Sequence, residues 1–259
     1  MIQFRNITKT FNRETEAEMK LYHGLNLEVA EHEFVTIVGS NGSGKSTLFN
    51  CLCGQVEIDD GNIMFDGKKF NEVKTHNRFK EISRVYQDPV AGTSPSLTIM
   101  ENLSLAYDKG RLMNLKSGVQ KDKVSLFKEL LQELDLGLEH KLDAKVGQLS
   151  GGQRQALSLL MALMNEPKVL LLDEHTAALD PKSSDIIMNL TDKMVRERSI
   201  TTMMVTHNLQ HALEYGDRLV MFHEGEIIFD VRGIDKKRLT RSDLIALFVE
   251  HDKYFQEMI

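Results

Sequence analysis

Nine consecutive residues, Gly39-Ser40-Asn41-Gly42-Ser43-Gly44-Lys45-Ser46-Thr47, combine three glycines, a lysine and four hydroxyls at a spacing suited to phosphate. Glycines let successive backbone N–H groups curl around an anion, and the start of a following helix adds partial positive charge beneath it. Lys45 can reach the β- and γ-phosphates, and the Ser46 hydroxyl suits Mg²⁺. A second acidic piece follows much later. Asp173 closes the apolar run Val169-Leu170-Leu171-Leu172, where a carboxylate can hold the metal ion or its water, and Glu174 can polarise an attacking water as general base. A third piece is Leu149-Ser150-Gly151-Gly152-Gln153, which reads as a helix start with Ser150 as cap and glycines that expose N–H groups to an anion. One chain rarely wraps one triphosphate with two helix starts so far apart in sequence. Two copies facing each other do so readily.

These groups need rigid supports. Phe34-Val35-Thr36-Ile37-Val38 is an apolar strand leading into the glycine loop, and Leu48-Phe49-Asn50-Cys51-Leu52 is the helix leaving it. The run 169–172 is apolar throughout, as expected for a strand buried on both faces of a parallel sheet. Further strands are expected at 2–7, 25–29, 61–67, 82–87, 200–205, 218–222 and 227–231, with a solvated turn over 12–20. Helices are expected at 124–134, 183–196 and 209–215, and one or two more within 239–259. From about Val90 to Leu163 strand patterns vanish and helical spacing dominates. The expected organisation is therefore an α/β core over 1–89 and 164–235, a helical subdomain over 90–163 and a helical tail over 236–259.

Bulk properties exclude several classes. The 259 residues carry a formal net charge of −6, whereas a dedicated nucleic-acid binder shows a basic excess or stripe. No apolar run approaches the ~20 residues of a membrane-spanning helix, and the first residues lack a secretory pattern. The chain is expected in the cytosol, reaching any membrane through a partner. Cys51 and Cys53 lack the further ligands zinc requires and point in different directions on a helix, so both read as small core residues.

The ordered set of motifs resembles the ATP-binding subunit of an ABC transporter over nearly the whole chain: the phosphate loop 39–47, Gln87, the signature 149–153, Asp173-Glu174, Ala178-Leu179-Asp180 and His207. The fold implied is a P-loop ABC cassette: a mainly parallel sheet core, an N-terminal antiparallel β part and an inserted α-helical subdomain. The resemblance implies ATP and Mg²⁺ as ligands. Lys45, Ser46 and Thr47 would hold phosphate and metal, with Asp173 and Gln87 also on the metal. Gln87 would sense the membrane partner, Glu174 would be the catalytic base, and His207 would contact the γ-phosphate. Ser150, Gly151, Gly152 and Gln153 would meet ATP held by the opposite subunit, and Asp180 would communicate across that dimer. Phe11 matches the aromatic residue that stacks on adenine, with Tyr22 as a rival. His175 stands where many relatives have proline, a change expected to loosen the turn after Glu174. His223 reads as a strand-end residue without a catalytic part.

Three strings narrow the family further: 87–103, 173–181 and 239–248. They are similar to ATPase subunits that serve a branched-chain-like permease and a lipoprotein-type binding protein, in a group implicated in tryptophan or tyrosine import. The implied partners are a second ATPase subunit, integral membrane permease subunits and an extracytoplasmic solute-binding protein, with the chain on the cytoplasmic face of the membrane. An exporter or lipoprotein-release ATPase is the alternative. A soluble cassette acting on ribosomes or DNA fits less well, because this chain is acidic and has one cassette and no heptad run.

Overall fold

The computed structural model describes residues 1–109 and 118–251. In chain order the elements are β1 (Ile2–Phe11), β2 (Met19–Val29), β3 (Phe34–Gly39), α1 (Lys45–Cys53), β4 (Asp60–Phe65), β5 (Lys68–Lys69), α2 (Thr75–Arg78), β6 (Ile82–Val85), α3 (Ile99–Tyr107) and α4 (Val124–Gln132). Then come α5 (Gly151–Leu163), β7 (Val169–Asp173), α6 (Pro181–Glu197), β8 (Thr201–Val205), α7 (Leu209–Glu214), β9 (Arg218–His223), β10 (Glu226–Arg232), α8 (Gly233–Arg238) and α9 (Arg241–His251). By its internal contacts the chain forms two compact units, Met1–Phe79 with the chain from Ile200 onward, and Lys80–Ser199.

The first unit holds an antiparallel sheet in the order β2-β1-β4-β5 and a set of strands in the order β10-β9-β3-β8. β3 pairs parallel with both β8 and β9, and β10 returns antiparallel to β9. All six residues of β3 are buried, as its unbroken apolarity demands. Its one hydroxyl is satisfied, since Thr36 Oγ1 donates within 3.0 Å of the Ala212 and Arg218 carbonyls. The half-buried alternation at 2–7 is seen, but β1 continues to Phe11 and β2 already starts at Met19, so the solvated turn is shorter than its composition implied. A charge cluster around buried Arg218, invisible to periodicity, ties this unit's strands together. Arg218 donates to both carboxylate oxygens of Asp230 (2.6 Å at Oδ1, 2.5 Å at Oδ2) and to Glu28 O at 2.6 Å, and it sits 3.5 Å from Glu33. Helix α8 begins three residues before the expected tail and hides Lys236, whose ammonium donates to the Tyr215 and Gly216 carbonyls. Leu244 joins Val38, Ala212, Leu219 and Met221 in one buried cluster against which Phe229, Leu239 and Leu247 pack, so α9 is tied to this unit's core. The expected tail helices beyond residue 251 lie outside the described residues.

The second unit has the parallel pair β6–β7 and helices α3 to α6. Thr98 opens α3 with a capping box to Glu101. Phe127 and Leu131 are the buried face of α4, in accord with the helical spacing of that segment. Asp180 caps α6, which therefore begins two residues before the periodic pattern does.

Candidate functional site

In the first unit, β3 delivers the chain into the glycine loop and α1 begins at Lys45. Two glycines there are required by contact as well as by backbone angle. Gly44 has φ +103°, and a Cβ on it would lie 2.8 Å from Tyr22 Cε1; Gly39 has φ +155°, and its Cβ would lie 2.3 Å from the Phe222 carbonyl oxygen. Lys45 Nζ curls back to donate to the Gly39 and Ser40 carbonyls at 2.8 and 2.7 Å. The N-cap of α1 is Gly44, which has no side chain to cap with, and the helix starts at the mouth of the loop beside exposed Asn41, Gly42 and Ser46. The far end of α1 is anchored by Arg78, which donates to the Cys51 and Leu52 carbonyls at 2.9 and 3.1 Å. Both cysteines are buried, and burial pushes the Cys51 thiol up to about 11.

His207 arrives beside the same strand. Ile37 pairs with Val205, and Thr206 N donates to Ile37 O at 3.1 Å, so the exposed His207 follows directly at the end of β8 nearest the loop. Tyr22 is 0% exposed, and its hydroxyl donates to Gly44 O at 2.6 Å. Burial pushes that phenol's pKa up. The ring supports the loop from behind and has no face to offer a base. Phe11 is only partly buried, with Lys9 Nζ 5.1 Å from its ring centre. His223 closes β9 next to Gly39, whose own partner is Phe222.

The second unit gathers the remaining groups at neighbouring strand and helix ends. β6 and β7 are in register through Val85 and Leu172, so exposed Gln87 and Asp173, the last residue of β7, leave adjacent strand ends. Glu174 follows with φ 50°, a left-handed conformation uncommon for a residue with a side chain and a frequent mark of functional turns. Gln155 Nε2 donates to Tyr86 O at 3.3 Å, tying α5 to the residue before Gln87. At the start of α5, Ser150 Oγ accepts from Gln153 N at 3.2 Å and Gln153 Oε1 accepts from Ser150 N at 3.3 Å, a reciprocal cap that fixes the helix start. Asp180 Oδ1 accepts from Ser183 N at 3.1 Å, and these hydrogen bonds from Ser183 hold the Asp180 carboxyl below its usual range. A Cβ on Gly151 would lie 3.3 Å from Leu179 Cδ2, and one on Gly152 would lie 3.5 Å from Ser183 Cβ. The signature helix start and the Asp180 turn therefore touch.

Two side chains here have partners that the sequence did not reveal. His175 does not loosen its turn: the ring is 1% exposed and its Nε2 lies 3.2 Å from Thr191 Oγ1 on α6, an anchor that proline could not supply. Arg84, a charge in the middle of a buried strand, places its guanidinium on Asp173 Oδ2 and 4.8 Å from the Tyr86 ring centre. The charge at that position was the available signal, and its partner 89 residues away was not.

With this geometry in view, the family model for ABC transporters matches residues 22–177. A tyrosine transport ATP-binding protein of Clostridioides difficile (strain R20291) is 48% identical over 248 residues, covering 96% of this chain and 98% of that protein. A phosphonates import ATP-binding protein of Oceanobacillus iheyensis is 35% identical over 89% of each chain. Among solved structures, the cassette MJ0796 as a dimer in a post-hydrolysis state with ADP and Pi has a TM-score of 0.75 at 33% identity, covering 93% of this chain and all of that one. The ADP conformation of the ABC transporter cassette MJ1267 has a TM-score of 0.80 at 28% identity, covering 96% and 98%. Among the described residues no helix is long and apolar enough to cross a membrane. The chain belongs to the ABC transporter family, as one of its ATP-binding, ATP-hydrolysing cassettes.

Proposed function

We propose that this cassette works as a pair, each copy lending the helix start of α5 to ATP held in the glycine loop of the other, and that closure and reopening of the pair drive a membrane permease. The observation that carries this reading is the presence of two helix starts prepared for an anion, α1 with no side-chain cap behind its glycine loop and α5 behind Ser150. In the proposed roles, Lys45 and Thr47 grip phosphate, His207 contacts the γ-phosphate and Phe11 stacks on adenine. Ser150, Gly151, Gly152 and Gln153 form the partner's wall, and Asp180 carries its state across the interface. Ser46, Gln87 and Asp173 are oxygen donors, the donor class that suits Mg²⁺, which enters with the triphosphate and spreads its charge. Glu174 takes the proton of the attacking water. Loss of the γ-phosphate removes the charge bridging the two walls, and the pair opens.

We infer an importer on the cytoplasmic face of the membrane, with a permease and a solute-binding protein as partners and an amino acid, aromatic ones included, as cargo. The relative from Clostridioides difficile, similar from end to end and named for tyrosine transport, supports this reading. An exporter would share the same cassette chemistry. The deciding experiment is Glu174→Gln: phosphate release falls roughly 100- to 10,000-fold, as expected for loss of a general base, while ATP binding persists and a nucleotide-bound dimer accumulates on size exclusion. Turnover at the wild-type rate removes Glu174 from the base role, and a mutant that binds ATP yet stays monomeric removes the shared pocket. Uptake of labelled tyrosine or tryptophan, lost when the cassette is deleted, tests the cargo.

A further inference from the structure

Arg84 and Asp173 form an ion pair with side chains only 6% and 13% exposed. The pair follows from strand geometry. Arg84 stands opposite Leu171 in the parallel β6–β7 register, and Asp173 lies two residues further along β7. Two strand residues span about 6.6 Å, a distance an extended arginine covers. The guanidinium carbon also lies 4.8 Å from the Tyr86 ring centre, so the group meets both a carboxylate and a ring. Burying an arginine in a strand is costly unless a charge partner and further contacts offset it, and both are present.

The partner is not a bystander. On the reading above, on which this inference rests, Asp173 is the carboxylate that holds the metal of Mg–ATP, and Glu174 adds a second negative charge next in sequence. We propose that Arg84 is a positioning residue for Asp173 that sets how tightly the site takes the metal: it engages Oδ2 and places a fixed positive charge against which a divalent cation must bind. In the metal-free chain the same guanidinium offsets the charge of a largely buried carboxylate. The site is thereby biased toward releasing its ion, and the metal it holds is the one delivered with triphosphate.

The test counts Mn²⁺ bound to the full-length chain loaded with a non-hydrolysable ATP analogue, from the paramagnetic resonance signal of the free ion, for wild type, Arg84→Met, Arg84→Gln, Arg84→Lys and Asp173→Asn. Removal of the fixed charge tightens Mn²⁺ by about three- to tenfold in both neutral variants, and the Mg²⁺ concentration for half-maximal hydrolysis falls in parallel. Arg84→Lys restores the wild-type affinity. A purely structural ion pair gives lower melting temperatures with unchanged Mn²⁺ affinity, and that result overturns the proposal, as does weaker binding in the neutral variants. If Asp173→Asn weakens Mn²⁺ while the Arg84 variants do not shift it, only the role of Arg84 fails. If Asp173→Asn leaves Mn²⁺ unmoved, the metal assignment falls and this inference with it.

Discussion

Two aromatic residues compete for adenine, and one pair of substitutions separates them. Tyr22 is fully buried and its hydroxyl donates to Gly44 O at 2.6 Å, while the same carbonyl accepts from Leu48 N at 2.9 Å. Tyr22→Phe therefore removes one hydrogen bond and leaves the carbonyl with another. The expected loss is about 1 kcal/mol, or a fall of roughly 2–4 °C in the melting temperature for a chain of this size, measured without nucleotide. ATP affinity changes only as far as the loop relaxes. Phe11→Ala has the opposite signature. The ring is partly exposed at the end of β1, so melting without nucleotide moves little. Loss of base stacking costs about 1–3 kcal/mol, which weakens fluorescent-ATP binding roughly 5- to 150-fold. Thermal melts and equilibrium titrations on the same preparations read both quantities. Wild-type ATP affinity in Phe11→Ala, together with a large affinity loss and an unmoved melting temperature in Tyr22→Phe, would refute the assignment, because it would mean the buried ring is the one that meets the base.

Other consequences follow from groups that are buried rather than displayed. His175→Ala removes a ring anchored on Thr191 and leaves a cavity beneath the Glu174 turn, so the melting temperature should fall by an amount corresponding to about 1–3 kcal/mol; an unchanged melting curve would show that the ring anchors nothing. Cys51 and Cys53 are both buried, and the Cys51 thiol is pushed up to about 11, so a thiol reagent at pH 8 should label neither in the native chain and both after guanidinium unfolding. Fast labelling of the native protein would contradict the packing of α1.

Much of the chemistry was legible along the chain because it depends on local rules. A glycine loop must curl, a helix start needs a cap, and a strand buried on both faces must be apolar; each rule leaves its mark within a few residues. Ser150, the phosphate loop and the end of β7 could therefore be named from spacing. The ends of elements were less legible: α6 begins at Pro181 because Asp180 caps it, and β1 runs to Phe11 because β2 pairs with it there. Roles set by distant partners were not legible at all. Tyr22 reads as a rival to Phe11 for adenine until Gly44 is found against its ring. His175 reads as a loosened turn until Thr191 is found against its nitrogen. Arg84 reads as an oddity until Asp173 is found against its guanidinium. The sequence by itself determined the family, the nucleotide chemistry and the order of the strands and helices that carry it. Only the tertiary structure decided which aromatic supports the loop and which charge neutralises which, because burial and pairing depend on residues far apart in sequence, and the local pattern carries no record of the partner.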